Sequence, residues 1–219
     1  LDGDVKVVTD RYQKNPTRHE VGDVEPDITT ARHLFWKIAH MDRKDHAVDV
    51  IKDAGPTIVF CRTRRGADRL TQQLEKSGVR AAAIHGGRSQ GQRDRALDSF
   101  VKGRVDALIA TDVAARGIHV DGVAAVLHFD PPEDEKTYLH RSGRTGRAGR
   151  KGICILVAPM HRRRSAERLL SLAKVLATQV RAPSQSDIYD RDRERLLSGV
   201  TSESGQSPEE AETVAELLK

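Results

Sequence analysis

The sequence predicts an α/β fold, a parallel sheet with helices on both faces. Short apolar runs at residues 57–61, 80–85, 106–111, 124–129 and 152–158 are rich in Val, Ile, Leu and Ala. They show little polar alternation, as expected of strands buried on both faces. Between them lie longer stretches whose apolar residues recur at helical spacing. Strands alternating with helices imply right-handed crossovers and therefore a parallel sheet.

Taken in order, residues 1–21 hold a strand-like run at 5–9 and a polar connector through Asn15 and Pro16. Residues 32–40 read as a strand leading into a helix at about 42–54. Helix 64–76 places Ala67, Leu70 and Leu74 on one stripe, and helix 89–101 does the same with Ala96, Leu97, Phe100 and Val101. Gly78 and Gly103 follow these two patterns, where helices commonly stop. Residues 133–142 suit a shorter helix after two prolines, and 160–178 a longer one with Leu169, Leu172 and Leu176 as its stripe. After Pro183 the chain turns polar and serine-rich, and 201–207 reads as a disordered linker. Ser207-Pro208-Glu209-Glu210 is a capping box with proline at the first helical position, opening a short helix to Lys219.

The 219 residues suffice for one full-sized core with flanking segments. No apolar run is long enough to cross a bilayer, and Asp2, Asp4 and Lys6 interrupt any secretory signal, so a cytoplasmic, membrane-free protein is expected. Cys61 and Cys154 each sit inside an apolar run and read as buried, reduced thiols. The formal charge is only +5, so its distribution matters more than its size. Residues 140–151 carry five lysines and arginines without an acid, 161–164 form a second basic cluster, and the last segment is acidic through Glu203, Glu209, Glu210, Glu212 and Glu216. A basic body of this kind suits a polyanionic ligand.

Residues 140–147 read His-Arg-Ser-Gly-Arg-Thr-Gly-Arg. Arginine is always charged and its planar fork grips phosphate in two places, so the cluster suits triphosphate or phosphodiester chemistry. Upstream lie Ala110-Thr111-Asp112-Val113-Ala114-Ala115-Arg116-Gly117-Ile118-His119-Val120, then Ile58-Val59-Phe60-Cys61-Arg62-Thr63 and His85-Gly86-Gly87-Arg88-Ser89-Gln90-Gly91-Gln92-Arg93. Ligands of open α/β sheets bind beyond the carboxyl ends of the strands. Cys61–Thr63, His85–Arg88, Thr111–Asp112 and Asp130–Pro131 all follow strands, so their loops should gather along one edge.

In order and spacing these segments resemble motifs IV, IVa, V and VI of the DEAD-box RNA helicases, of the bacterial type, across residues 57–158. The resemblance implies the second, C-terminal RecA-like domain of a helicase core, over residues 27–180, with 1–26 as the linker from a preceding domain and 181–219 as a tail. No Gly-x-x-x-x-Gly-Lys-Ser/Thr pattern and no DEAD-like acidic box occur in the sequence. The chain therefore looks like the C-terminal half of a helicase, inactive alone, with ATP and Mg bound mainly by an N-terminal RecA-like domain. The resemblance makes Arg144 and Arg147 arginine fingers. It places Arg116, Gly117, His119, His140 and Arg141 in nucleotide binding or in coupling to neighbouring motifs. It gives sequence-independent RNA backbone contacts to Thr63, Gly86, Arg88, Gln90, Arg93, Thr111 and Gly117. Thr111, at a strand end, can offer its hydroxyl and backbone N–H to a phosphate, and Gln90 and Arg93 lie one turn apart at the positive end of a helix.

Two positions depart from the family pattern. His119 stands where relatives carry an aspartate near the nucleotide ribose, and imidazole does not match a carboxylate as an acceptor. Gly87 stands where many carry aspartate. The remaining histidines have no partners at metal-ligand spacing, so no metal site is expected in this chain. Rival readings are a DNA translocase of the same superfamily and a non-enzymatic RNA-binding module. The paired Arg144 and Arg147 speak against the second.

Overall fold

The computed structural model describes residues 28, 30–38, 42–115, 120, 123–146, 151–180 and 193. The linker expected over 1–26, the strand-like run at 5–9 and the helix expected at 208–219 lie outside the described residues, as does the 181–219 tail apart from Arg193.

The elements run β1 (Ala31–Ile38), α1 (Arg43–Ala54), β2 (Thr57–Phe60), α2 (Arg64–Lys76), β3 (Ala81–Ile84), α3 (Gln90–Val101), β4 (Ala107–Ala110) and α4 (Asp112–Ala115). They continue with β5 (Ala125–His128), α5 (Glu135–Ser142), β6 (Gly152–Pro159), a 3-10 turn (Met160–Arg162), α6 (Arg163–Leu172) and β7 (Thr178–Val180). All pairings are parallel, in the order β3-β4-β2-β5-β6-β1-β7. Crossovers toward the β3 edge carry α1 and α2 over one face, where Ala47, Ile51, Leu70 and Leu74 pack on Val59, Ile109 and Leu127. Crossovers the other way carry α3, α4, α5 and α6 over the opposite face, around Phe60, Leu108, Val126 and Leu156. One handedness for every crossover produces this split.

Local chemistry fixes the helix starts. The Thr63 hydroxyl caps α2 by accepting the Gly66 N–H at 3.0 Å. Ser89 and Gln92 form a reciprocal capping box on α3, and Asp134 caps α5 through the Thr137 N–H at 2.7 Å. Gly78 (φ 79°) and Gly103 (φ 67°) occupy the left-handed region just past α2 and α3.

Two expectations are corrected. The helix read over 160–178 is a 3-10 turn followed by a ten-residue α6, and the chain then turns through Lys174 at φ 54°. Residues 178–180 instead pair with the outer edge of β1, where unfilled backbone groups await a partner. The stripe of α6 is accordingly Ala166, Leu169 and Leu170, whereas Leu172 (55% exposed) and Leu176 (98%) face solvent. On α3, Phe100 is buried and Ala96 and Leu97 partly so, but Val101 is 63% exposed; Val105, beyond the helix, packs there instead. No helix among the described residues is long and apolar enough to cross a membrane.

Candidate functional site

Parallel strands bring the segments after β2, β3, β4 and β5 to one edge of the sheet, and a single arginine ties two of them to the end of β2. Arg141, in the last turn of α5, is buried. Its Nε and Nη2 donate to the two carboxylate oxygens of Asp112 at 2.6 and 2.7 Å, and Nη1 donates to the Asp130 carbonyl at 2.8 Å. The guanidinium also lies 5.0 Å from the Phe60 ring centre. Asp130 extends the knot. Its Oδ2 accepts the Arg62 backbone N–H at 3.0 Å and its Oδ1 accepts Arg43 at 2.8 Å. Arg43 donates to the Phe129 carbonyl as well and stacks 4.1 Å over the Phe129 ring.

Over this knot opens a cavity of about 290 Å³ between Phe60, Asp112, Lys136, His140, Arg141 and Arg144. Arg144 reaches it because the chain past α5 folds down onto the sheet. Thr145 donates to the Val123 carbonyl at 2.6 Å, and Thr30 donates to the Gly146 carbonyl at 2.5 Å. Gly146 has φ 70°, and a Cβ there would lie 2.7 Å from Thr30 Oγ1. Glycine is thus required by both backbone conformation and space.

Beneath α5 a buried polar network holds the helix in place. His33 Nε2 faces the Ile28 carbonyl, so Nδ1 accepts from the Tyr138 hydroxyl at 2.8 Å. Tyr138 stacks on His128 with ring centres 4.6 Å apart, and His128 Nε2 meets Ser142 Oγ at 3.2 Å. Burial pushes the pKa of both histidines down, that of His128 well below its ordinary value, and Arg141 adds to the shift of His128. Burial likewise raises Cys154 to about 12 and lifts Cys61 and Tyr138, so both thiols are protonated and unreactive.

The motif IVa segment is similarly braced. His85 Nδ1 accepts the Gly87 N–H at 3.1 Å while Nε2 meets Asp68 at 2.9 Å. Arg88 meets the same Asp68 oxygen at 2.6 Å. A Cβ at Gly87 would lie 3.1 Å from His85 Nδ1, so the glycine sits against the ring that shapes its loop. Gln90 donates to Asp94 at 2.7 Å and accepts from Arg93 at 3.0 Å, and Arg93 reaches on to the Ala114 carbonyl of α4 at 3.4 Å.

Thr63, Gly86, Arg88, Gln90, Arg93, Thr111, His140, Arg141 and Arg144 thus all belong to loops or helix ends at this one edge. Arg116, Gly117, His119 and Arg147 lie outside the described residues. Thr111 requires a correction. It is buried and its backbone N–H already donates to the Ile84 carbonyl at 3.3 Å, because the β3–β4 ladder continues one residue past β4. Only its hydroxyl remains to offer. Sequence reasoning missed Asp112, Asp68 and Asp130 as the anchors of Arg141, Arg88 and Arg43. Asp112 was legible in the Thr-Asp pair after β4; Arg43 carried no signal.

A model of the helicase conserved C-terminal domain matches residues 42–149. The DEAD-box ATP-dependent RNA helicase 21 of rice (Oryza sativa subsp. japonica) is 40% identical over 147 residues, covering 65% of this chain and 20% of that protein. The chain thus spans about a fifth of that relative. The E. coli DEAD-box protein SrmB, solved bound to the regulator of ribonuclease activity A, is 33% identical over 72% of this chain and 93% of that one, with a TM-score of 0.62. S. cerevisiae Dbp5 bound to RNA and ADP BeF3 is 26% identical over 88% of this chain and 51% of that one, with a TM-score of 0.69.

Proposed function

The chain belongs to the DEAD-box RNA helicases as their C-terminal, RecA-like helicase domain, and on that premise we propose that it grips the RNA backbone while presenting Arg144 and Arg147 to ATP held by an N-terminal RecA-like domain. One observation carries this reading: the basic side chains gathered around the cavity over Asp112. Arg141 is held there by a carboxylate and a carbonyl, and Lys136, His140 and Arg144 line the same cavity. That donor set fits the polyanionic end of a nucleoside triphosphate. Phosphoryl transfer gains from cations aimed at the charge that develops on the γ-phosphate, and fingers supplied from a second domain do this.

Magnesium fits these residues poorly. Asp112 spends both oxygens on Arg141, and Asp134 caps α5, so the metal's ligands belong to the N-terminal domain. With no P-loop in its sequence, the chain alone does not turn over ATP. RNA contacts fall to Thr63, Gly86, Arg88, Gln90, Arg93, Thr111 and Gly117, through hydroxyl, backbone and guanidinium donors that carry no base preference. Arg88 acts with its charge partly balanced by Asp68, as an oriented donor more than a free cation.

In the full-length protein, Arg144→Ala or Arg147→Ala lowers ATP hydrolysis at saturating RNA by ~10³-fold, the scale of an arginine finger, with RNA affinity kept. Near-normal turnover in both variants refutes the assignment, and a full-length protein that binds RNA without hydrolysing ATP is the non-enzymatic module.

A further inference from the structure

The basic run 161–164 takes no part in the reading above, yet the fold puts half of it beside the RNA-facing edge. The 3-10 turn after β6 brings His161 and Arg162 into the wall of a second hollow, about 380 Å³, on the far side of the Arg43–Asp130 pair. Arg62 and Thr63 line it from the end of β2, and Pro131 and Pro159 from the ends of β5 and β6.

Its electrostatics are one-sided. Asp130 is the single acid among the lining residues, and its oxygens are taken by Arg43 and by the Arg62 N–H. Arg62, His161 and Arg162 are exposed, and Thr63 lines the hollow beside them. Guanidinium forks and a hydroxyl are the donors of an oxyanion site. Two prolines in the wall supply no N–H and hold their backbone fixed, so a bound peptide's carbonyls find few donors there. A phosphodiester needs none of these. Thr63 belongs both to this hollow and to the RNA-facing set, so a strand leaving Thr63 enters the hollow next.

We infer that the hollow between Arg62, His161 and Arg162 holds a backbone phosphodiester of the same RNA strand, one segment beyond Thr63. The inference rests on the RNA reading of the proposed function. It extends the footprint to a place where the phosphate is met by two arginines from separate loops. Because the contact is to phosphate, it adds affinity and salt dependence without adding base preference.

The test uses the full-length protein and labelled single-stranded poly-uridine over a range of salt concentrations. One phosphate contact on a single strand contributes about 0.7 to the slope of log K against log salt, or roughly eightfold in affinity near 0.05 M salt. Arg62→Ala/Arg162→Ala should lose that slope and that affinity together, with the difference fading as salt rises. Arg62→Lys/Arg162→Lys keeps the charges and should restore most of the slope, which separates a lost contact from a damaged fold. An unchanged slope in the alanine variant overturns the inference. If Arg88→Ala and Gln90→Ala also leave RNA affinity unchanged, the RNA reading itself falls; if they weaken it while the double alanine variant does not, the hollow alone is wrong.

Discussion

Removing Asp112 from beneath Arg141 should cost the chain more than an ordinary surface ion pair. The Arg141 side chain is 4% exposed and that of Asp112 38%. Two charge-assisted bonds at 2.6 and 2.7 Å join them, each contributing about 1.5–3 kcal/mol at best. Stripping one partner from a fully buried pair costs about 3–5 kcal/mol, because the other charge is left stranded. Here water reaches the Asp112 side and Arg141 keeps its bond to the Asp130 carbonyl, so Asp112→Ala should cost about 3 kcal/mol. Arg141→Ala also loses its contact with Phe60, while the abandoned carboxylate turns to solvent. A double-mutant cycle of Asp112→Ala and Arg141→Ala, measured by urea unfolding of the chain at pH 7.5, isolates the pair. The expected coupling is about 2 kcal/mol with an unchanged denaturant slope. A coupling below about 0.5 kcal/mol, the value of exposed pairs, would refute the view that this contact locks α4 to α5.

Acid should loosen the same helix from below. His33 and His128 are buried neutral with folded pKa values lowered, so the unfolded chain binds protons more readily below the ordinary value of 6.5. Stability is therefore level above about pH 6.5 and falls below it, by up to about 1.4 kcal/mol per pH unit for each histidine, until the folded values are reached. Unfolding midpoints between pH 5 and 7.5 check this, and His128→Asn should flatten the decline; a flat profile in the unaltered chain contradicts it. Gly152→Ala should destabilise by about 2–3 kcal/mol through overpacking. Its Cβ would lie 2.3 Å from Thr145 Oγ1 and 2.6 Å from the Gly146 nitrogen, and Thr145 is held by the Val123 carbonyl. A denaturation midpoint near that of the unaltered chain would mean the 143–146 segment yields without loss.

Five of the seven strands were legible because both of their faces are buried, and continuous apolar runs such as Thr57–Phe60 or Ala107–Ala110 can mean little else between amphipathic helices. β1 was legible in the same way. β7 was not. Thr178–Val180 is largely exposed and exists because β1 offers an open edge, a tertiary cause that leaves no local apolar signature. The same cause cut short the helix read through Leu176. The leucines gave the period, but Lys174 reversed the chain before they could be used.

At the site, the residue types were legible and their partners were not. The run 140–147 repeats arginine every third position, which makes Arg141 and Arg144 look equivalent. The fold separates them by where α5 ends. Arg141 sits within the last turn and points its fork into the sheet edge, where Asp112 and the Asp130 carbonyl hold it. Arg144 comes after the helix has stopped at Gly143, on a segment pinned by Thr145 and Gly146, and so lines the open cavity. The spacing of three thus straddles a helix terminus, placing one arginine inside the last turn of α5 and the next just beyond it.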